Sequence, residues 1–99
     1  MKNKLVEITV DELKKRLSDK DKEFVLIDIR GNGVNTIQGT DLEIALQDLS
    51  TIENILLDKS QEVILYCNTG NSSKLGIHML EKMGYSNVKD LKGGFEEWK

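Results

Sequence analysis

The chain has 99 residues, 38% of them apolar and 31% charged, with a net charge of -3. That length suits one domain over residues 1 to 99, with a core that needs no disulfide or metal to hold it. The charge lacks the basic excess of a nucleic-acid or anionic-membrane binder, no apolar run is long enough to cross a bilayer, and the opening MKNKLVEITVDEL lacks the apolar stretch of a secretion signal.

A lone cysteine, Cys67, cannot form an internal disulfide, and the expected location is a reducing cytoplasm where a thiol stays a thiol. There are no prolines, and no repeat or low-complexity tract suggests a linker.

In chain order, Glu7 to Thr9 reads as a short strand. TVDELKKRL then offers a capping box, Thr9 with Glu12 three residues on, and a helix of about two turns that buries Val10, Leu13 and Leu17. EFVLIDI, residues 23 to 29, is too apolar and β-branched for a half-exposed strand and predicts a central parallel one covered on both faces. RGNGVNTIQGT, residues 30 to 40, is a loop by its turn residues.

DLEIALQDLSTIENILLDK spaces Leu42, Leu46, Leu49, Ile52, Ile55 and Leu56 at helical intervals. A second capping box at Ser50 and Glu53 bends or restarts it, so one long or two short helices are expected. EVILYC, residues 62 to 67, is another buried strand. The following helix puts Gly76, Met79, Leu80 and Met83 on one face, with Gly76 allowing close approach to the sheet and His78 on the opposite, solvent side. NVKDL is a last short strand, and KGGFEEWK a Gly-Gly turn with a terminal helical turn anchored by Phe95 and Trp98. Buried strands alternating with helices predict a three-layer α/β domain with a central, mainly parallel sheet flanked by helices.

Ligands of open parallel sheets bind beyond the carboxyl ends of the strands. Two buried strands end in chemistry there, VLID in Asp28 and Arg30, and VILY in Cys67. After Cys67 come Asn68, Thr69, Gly70, Asn71, Ser72 and Ser73, small residues leading straight into a helix. Such a turn can aim successive N–H groups inward as an anion-binding nest, and a thiol at its centre would be stabilised as thiolate. The competing reading of Cys67 is a buried thiol that only packs.

VILYCNTGNSSKLGIHMLEKMGYSNVKDLKGGFEEW resembles the C-terminal half of a rhodanese homology domain, in its strand, cysteine, active loop from Cys67 to Ser72, helix and V..L.GG...W ending. VLIDIR is similar to the family's Asp-Val-Arg strand end, and TIQGT stands where the family carries His-Ile-Pro-Gly-Ala. The resemblance implies sulfur transfer: Cys67 takes a sulfane sulfur from a small sulfur-containing anion such as thiosulfate, or from a persulfide donor, holds it as a persulfide, and passes it to cyanide, a thiol or a partner-protein acceptor. That cycle needs one cysteine and neither cofactor nor metal. It also implies that Asp28, Arg30 and the Gly93–Gly94 turn border the site.

Two departures qualify this expectation. Active loops of the family carry Arg after the cysteine and at the loop's end, where this chain has Asn68 and Ser72. Lys74, a cation in the first helical turn where cations are disfavoured, is a candidate replacement at the site rim. The phosphatases built on the same scaffold clamp phosphate with an Arg six positions after the cysteine, and Ser73 stands there instead. The linker GNGVNTIQG is also shortened relative to the family, which would open one wall of the site. The missing cations leave a second function in view, a rhodanese-like binding or sensory module whose catalysis has decayed.

Overall fold

The two runs marked as covered on both faces form the middle of a five-stranded sheet in the computed structural model, which describes residues 5–31 and 35–99. The elements are β1 (Glu7–Ile8), α1 (Val10–Leu17), β2 (Val25–Asp28), β3 (Leu42–Glu43), a 3-10 helix (Leu46–Asn54), β4 (Val63–Tyr66), α2 (Asn71–Lys82), β5 (Val88–Leu91) and α3 (Gly94–Trp98). The strand order is β1-β5-β4-β2-β3 and every pairing is parallel. The expected three-layer α/β architecture holds.

Alternation along the strands separates the two cores, because successive side chains point to opposite faces. Ile27, Val63, Leu65 and Val88 face a cluster with Leu49, Ile52, Ile77 and Leu80 from the 3-10 helix and α2. Leu26, Ile64, Tyr66 and Leu91 face Leu13 of α1, with Phe95 and Trp98 of α3 packed partly buried at the margin. The capping box of α1 forms as read: Glu12 N–H donates to Thr9 Oγ1 at 3.1 Å and Thr9 N–H to Glu12 Oε1 at 2.9 Å. Leu13 is fully buried, while Val10 and Leu17 pack from its edges.

The segment after residue 40 departs from expectation. Leu42 and Glu43 form a strand, not the start of a helix, because the outer edge of β2 needs partners for its backbone; they pair with Ile27 and Asp28. The helix beyond is 3-10, which fits Leu46, Leu49 and Ile52 recurring every third residue, the period of that helix. The Ser50–Glu53 capping box does not form. The helix runs through Ser50, and Glu53 pairs instead with Lys59 at 2.8 Å. On α2 the buried face is Ser73, Gly76, Ile77 and Leu80, rotated from the expected one so that Met79 and Met83 are only partly buried. Residues 32–34 of the loop after Arg30 lie outside the described residues.

Gly76 seats α2 on the sheet. A Cβ there would come within 2.8 Å of Leu65 Cδ1 and 3.3 Å of Leu49 Cδ2. Gly76→Val should therefore overpack this contact and lower unfolding stability by about 1–3 kcal/mol, as read by urea denaturation, despite the gain in helix propensity.

Candidate active site

The register places the two chemistry-bearing strand ends side by side. Asp28 pairs with Tyr66, so Arg30 and Cys67 emerge together above the carboxyl end of the sheet. Cys67 is 5% exposed. Gly70, at a φ of +101° that only glycine adopts without strain, turns the chain into α2. Gly70 N–H then donates to Cys67 Sγ at 3.1 Å and Ser73 N–H at 3.3 Å. The expected nest is formed, with the sulfur at its centre. Burial pushes the Cys67 thiol up, but the Ser73 hydroxyl and the amides of Ser73, Gly70 and Thr69 outweigh it, so the thiol is more acidic than usual.

The carbonyls at the start of the loop point away from the sulfur, and the C-terminal segment receives them. Phe95 N–H donates to Cys67 O at 2.8 Å and Glu96 N–H to Asn68 O at 2.9 Å. The approach is close enough that a Cβ on Gly94 would lie 2.5 Å from Cys67 O. Gly93 sits behind the loop, facing a separate cleft with Thr9, Lys14 and Glu97, so its place is support of the loop and not the rim.

On the other side of the sulfur, Asp28 is fully buried and takes Arg30 Nε at 3.0 Å and Nη2 at 2.8 Å. Arg30 also donates from Nη1 to Asn68 Oδ1 at 3.0 Å and from Nη2 to Asn35 O, and stacks over the rings of Phe95 and Tyr66. This is a buried ion pair bordering the site, with Asp28 beneath and Arg30 on the wall. Tyr66 ties down the loop beyond it, its hydroxyl accepting from Ile37 N–H at 3.0 Å and bonding Thr40 Oγ1 at 2.9 Å.

A cleft of about 660 Å³ opens over the sulfur, lined by Arg30, Asn68, Thr69, Asn71 and Ser72 on one side and by Ala45, Leu46 and Gln47 on the other. Nothing in the sequence marks residues 45–47 as lining the site, because their place depends on the short β3 pairing that precedes them. Lys74 is not at the rim. Its ammonium bonds Gly70 O and Asp90 Oδ2, each at 3.1 Å, and lies 3.5 Å from Glu7 Oε2. The anion it meets is internal. Ser73 is fully buried beneath the sulfur, His78 is exposed away from it, and no metal-binding cluster occurs among the described residues.

The model of the rhodanese-like domain matches residues 9–99. The chain belongs to the rhodanese-like domain family. Over an alignment 88 positions long, the chain is 34% identical to the adenylyltransferase and sulfurtransferase UBA4 of Candida albicans, covering 78% of this chain and 20% of that protein. The chain thus spans about a fifth of the length of that relative. Among solved structures, a rhodanese-like domain from Anabaena sp. superposes with a TM-score of 0.82 at 24% identity, covering 93% of this chain and 71% of that one. The human single-domain sulfurtransferase TSTD1 superposes with a TM-score of 0.78 at 18% identity, each chain covered to 96%. At those identities the two structures speak for the rhodanese fold. No helix among the described residues is long and apolar enough to cross a membrane.

The Asp28–Arg30 pair makes a stability prediction. Arg30→Met leaves Asp28 as an uncompensated buried carboxylate and should cost about 3–5 kcal/mol in chemical denaturation, whereas Asp28→Leu combined with Arg30→Met should recover much of that loss.

Proposed function

We infer that this rhodanese-like protein is a sulfurtransferase or persulfide carrier in which Cys67 receives a sulfane sulfur and passes it to a thiol or cyanide acceptor. The observation that carries this reading is the set of donors converging on Cys67 Sγ, the Gly70 and Ser73 amides at 3.1 and 3.3 Å, beneath an open cleft. Fixed N–H dipoles stabilise the attacking thiolate and the anionic sulfur of the persulfide that forms. The thiol's raised acidity favours chemistry over a decayed binding module, which has no use for it. With Ser73 buried at the position of the phosphate-clamping Arg, phosphoryl transfer lacks its main charge stabilisation.

Charge bookkeeping narrows the donor. The one guanidinium on the cleft wall is already paired with buried Asp28, and the Lys74 ammonium with Asp90 and Glu7. The loop side chains facing the cleft are uncharged, so a dianion such as thiosulfate gains little here. A persulfide donor, whether a low-molecular thiol persulfide or one carried by a partner protein, has less charge at its leaving group, a thiolate in place of sulfite, and is the preferred substrate. A reducing, cytoplasmic setting suits such a thiol cycle.

Incubation with glutathione persulfide should add one sulfur atom to the protein by intact mass and none to Cys67→Ala; no gain from any donor, with a thiol of ordinary acidity by the pH dependence of alkylation, would leave the binding module as the function. Asn68→Arg with Ser72→Arg should raise kcat/KM for thiosulfate at least about tenfold, since charge-assisted hydrogen bonds contribute roughly 1.5–3 kcal/mol each, and should change persulfide-donor kinetics much less. Equal gains for both donors would show that charge at the loop does not set donor choice.

A further inference from the structure

Behind Cys67 lies a chain of hydrogen bonds that the sulfur cycle described so far does not use. Cys67 Sγ and Ser73 Oγ are 3.5 Å apart, and Ser73 Oγ bonds directly to Asp90 Oδ1. Ser73 and Asp90 are both fully buried. Asp90 is a carboxylate at the carboxyl end of the β5–β4 pairing, opposite Leu65, and fully buried where an apolar side chain would be expected. The other charged groups around it are Lys74 from α2, at 3.1 Å from Oδ2, and Glu7, its partner on β1.

A serine hydroxyl has one proton to give, so this chain has two arrangements. With Asp90 ionised, Ser73 donates to the carboxylate and its oxygen accepts the Cys67 S–H. With Asp90 protonated, the carboxylic acid donates to Ser73 Oγ, and the Ser73 O–H turns to the Cys67 thiolate. Both arrangements have the same net charge and differ only by a proton moved across one hydroxyl.

We propose that Asp90, acting through Ser73, is the internal proton acceptor and donor for Cys67 during sulfur transfer. The proposal rests on the persulfide reading above. During loading, Cys67 sulfur attacks the outer sulfur of a persulfide R–S–SH while its proton passes to Ser73 and that of Ser73 to Asp90. The new Sγ–S bond forms, the donor S–S bond breaks, and R–S⁻ leaves with its electron pair. During discharge, an acceptor thiolate attacks the outer sulfur, the Sγ–S bond breaks toward Cys67, and the departing sulfur recovers its proton from Ser73, which is refilled by Asp90. Lys74 limits how far the proton stays on Asp90, because its ammonium favours the ionised carboxylate. Burial raises the Asp90 carboxyl above its ordinary range in spite of the hydrogen bonds from Ser73 and Lys74 and the Lys74 charge, a direction that suits a proton acceptor.

The test follows Cys67 alkylation against pH together with single-turnover discharge of the persulfidated protein to a thiol. In the wild type the alkylation rate should rise in two steps, since thiol and carboxyl titrate as a coupled pair. Asp90→Asn should collapse the profile to a single step at lower pH than the upper step of the wild type, while slowing discharge at neutral pH roughly 100-fold, the lower end of the range for general acid–base catalysis. A thiol that becomes more acidic while its transfer slows is not the mark of simple structural damage. Ser73→Ala should slow discharge similarly with Asp90 in place, and Ser73→Thr should restore most of it. Infrared difference spectra of the wild type need no variant to fold: a protonated carboxylic acid band should appear on loading and vanish on discharge. A single-step wild-type profile, wild-type discharge rates in Asp90→Asn or Ser73→Ala, or no carboxylic acid band would overturn the proposal. Failure of the wild type to take up sulfur would count against persulfide transfer itself, while the alkylation profile would still decide whether the proton is shared.

Discussion

A loop that gathers N–H groups on a sulfur must be held in that shape by partners for its own carbonyls. In this protein the carbonyls of Cys67 and Asn68 are taken by the amides of Phe95 and Glu96, across a contact so close that only a glycine fits at position 94. Much else at the site follows from that constraint. Leu91 and Trp98 must hold the last strand and helix against the α1 face for the acceptors to be in place, and Gly70 must turn left-handed so that the donors converge. The thiol's acidity is thus a property of the packing of two elements at opposite ends of the C-terminal half.

The charges near the sulfur are arranged to cancel. Arg30 answers Asp28, and Lys74 answers Asp90 and Glu7, so the field at Sγ comes mainly from fixed backbone dipoles. Buried dipoles are screened far less by dissolved salt than exposed guanidinium groups are. The chemistry at Cys67 is accordingly insulated from the ionic strength of its surroundings, at the expense of a pull on distant anions.

What the sequence disclosed and what it withheld divide along the range of the interactions involved. VLID and VILY are legible because a strand covered on both faces carries an apolar run, and Thr9 with Glu12 because a capping box is complete within four residues. The loop from Cys67 to Ser73 was legible as a nest from its small residues and the helix that follows. Leu42–Glu43 was not, since a two-residue strand is too short to carry a period and owes its existence to the open edge of β2. The periodicity of the next segment marks a helix, and the 3-10 type lies in the spacing of three between Leu46, Leu49 and Ile52 alone. Lys74 looked like a cation awaiting an external anion because its partners, Asp90 and Glu7, stand on two other strands. The one sign of Asp90's position was a carboxylate inside NVKDL, a strand that is otherwise covered on the α2 side.

Chains are made from the N-terminus, and Cys67 is synthesised before Phe95 and Glu96. Until those two amides arrive, the carbonyls of Cys67 and Asn68 lack their partners, and the cysteine of a growing chain has the acidity of a free thiol. Oxidants and electrophiles attack the thiolate form, so the unfinished protein carries its nucleophile in a protected state. The acidity of the thiol is acquired as the C-terminal segment docks against the loop.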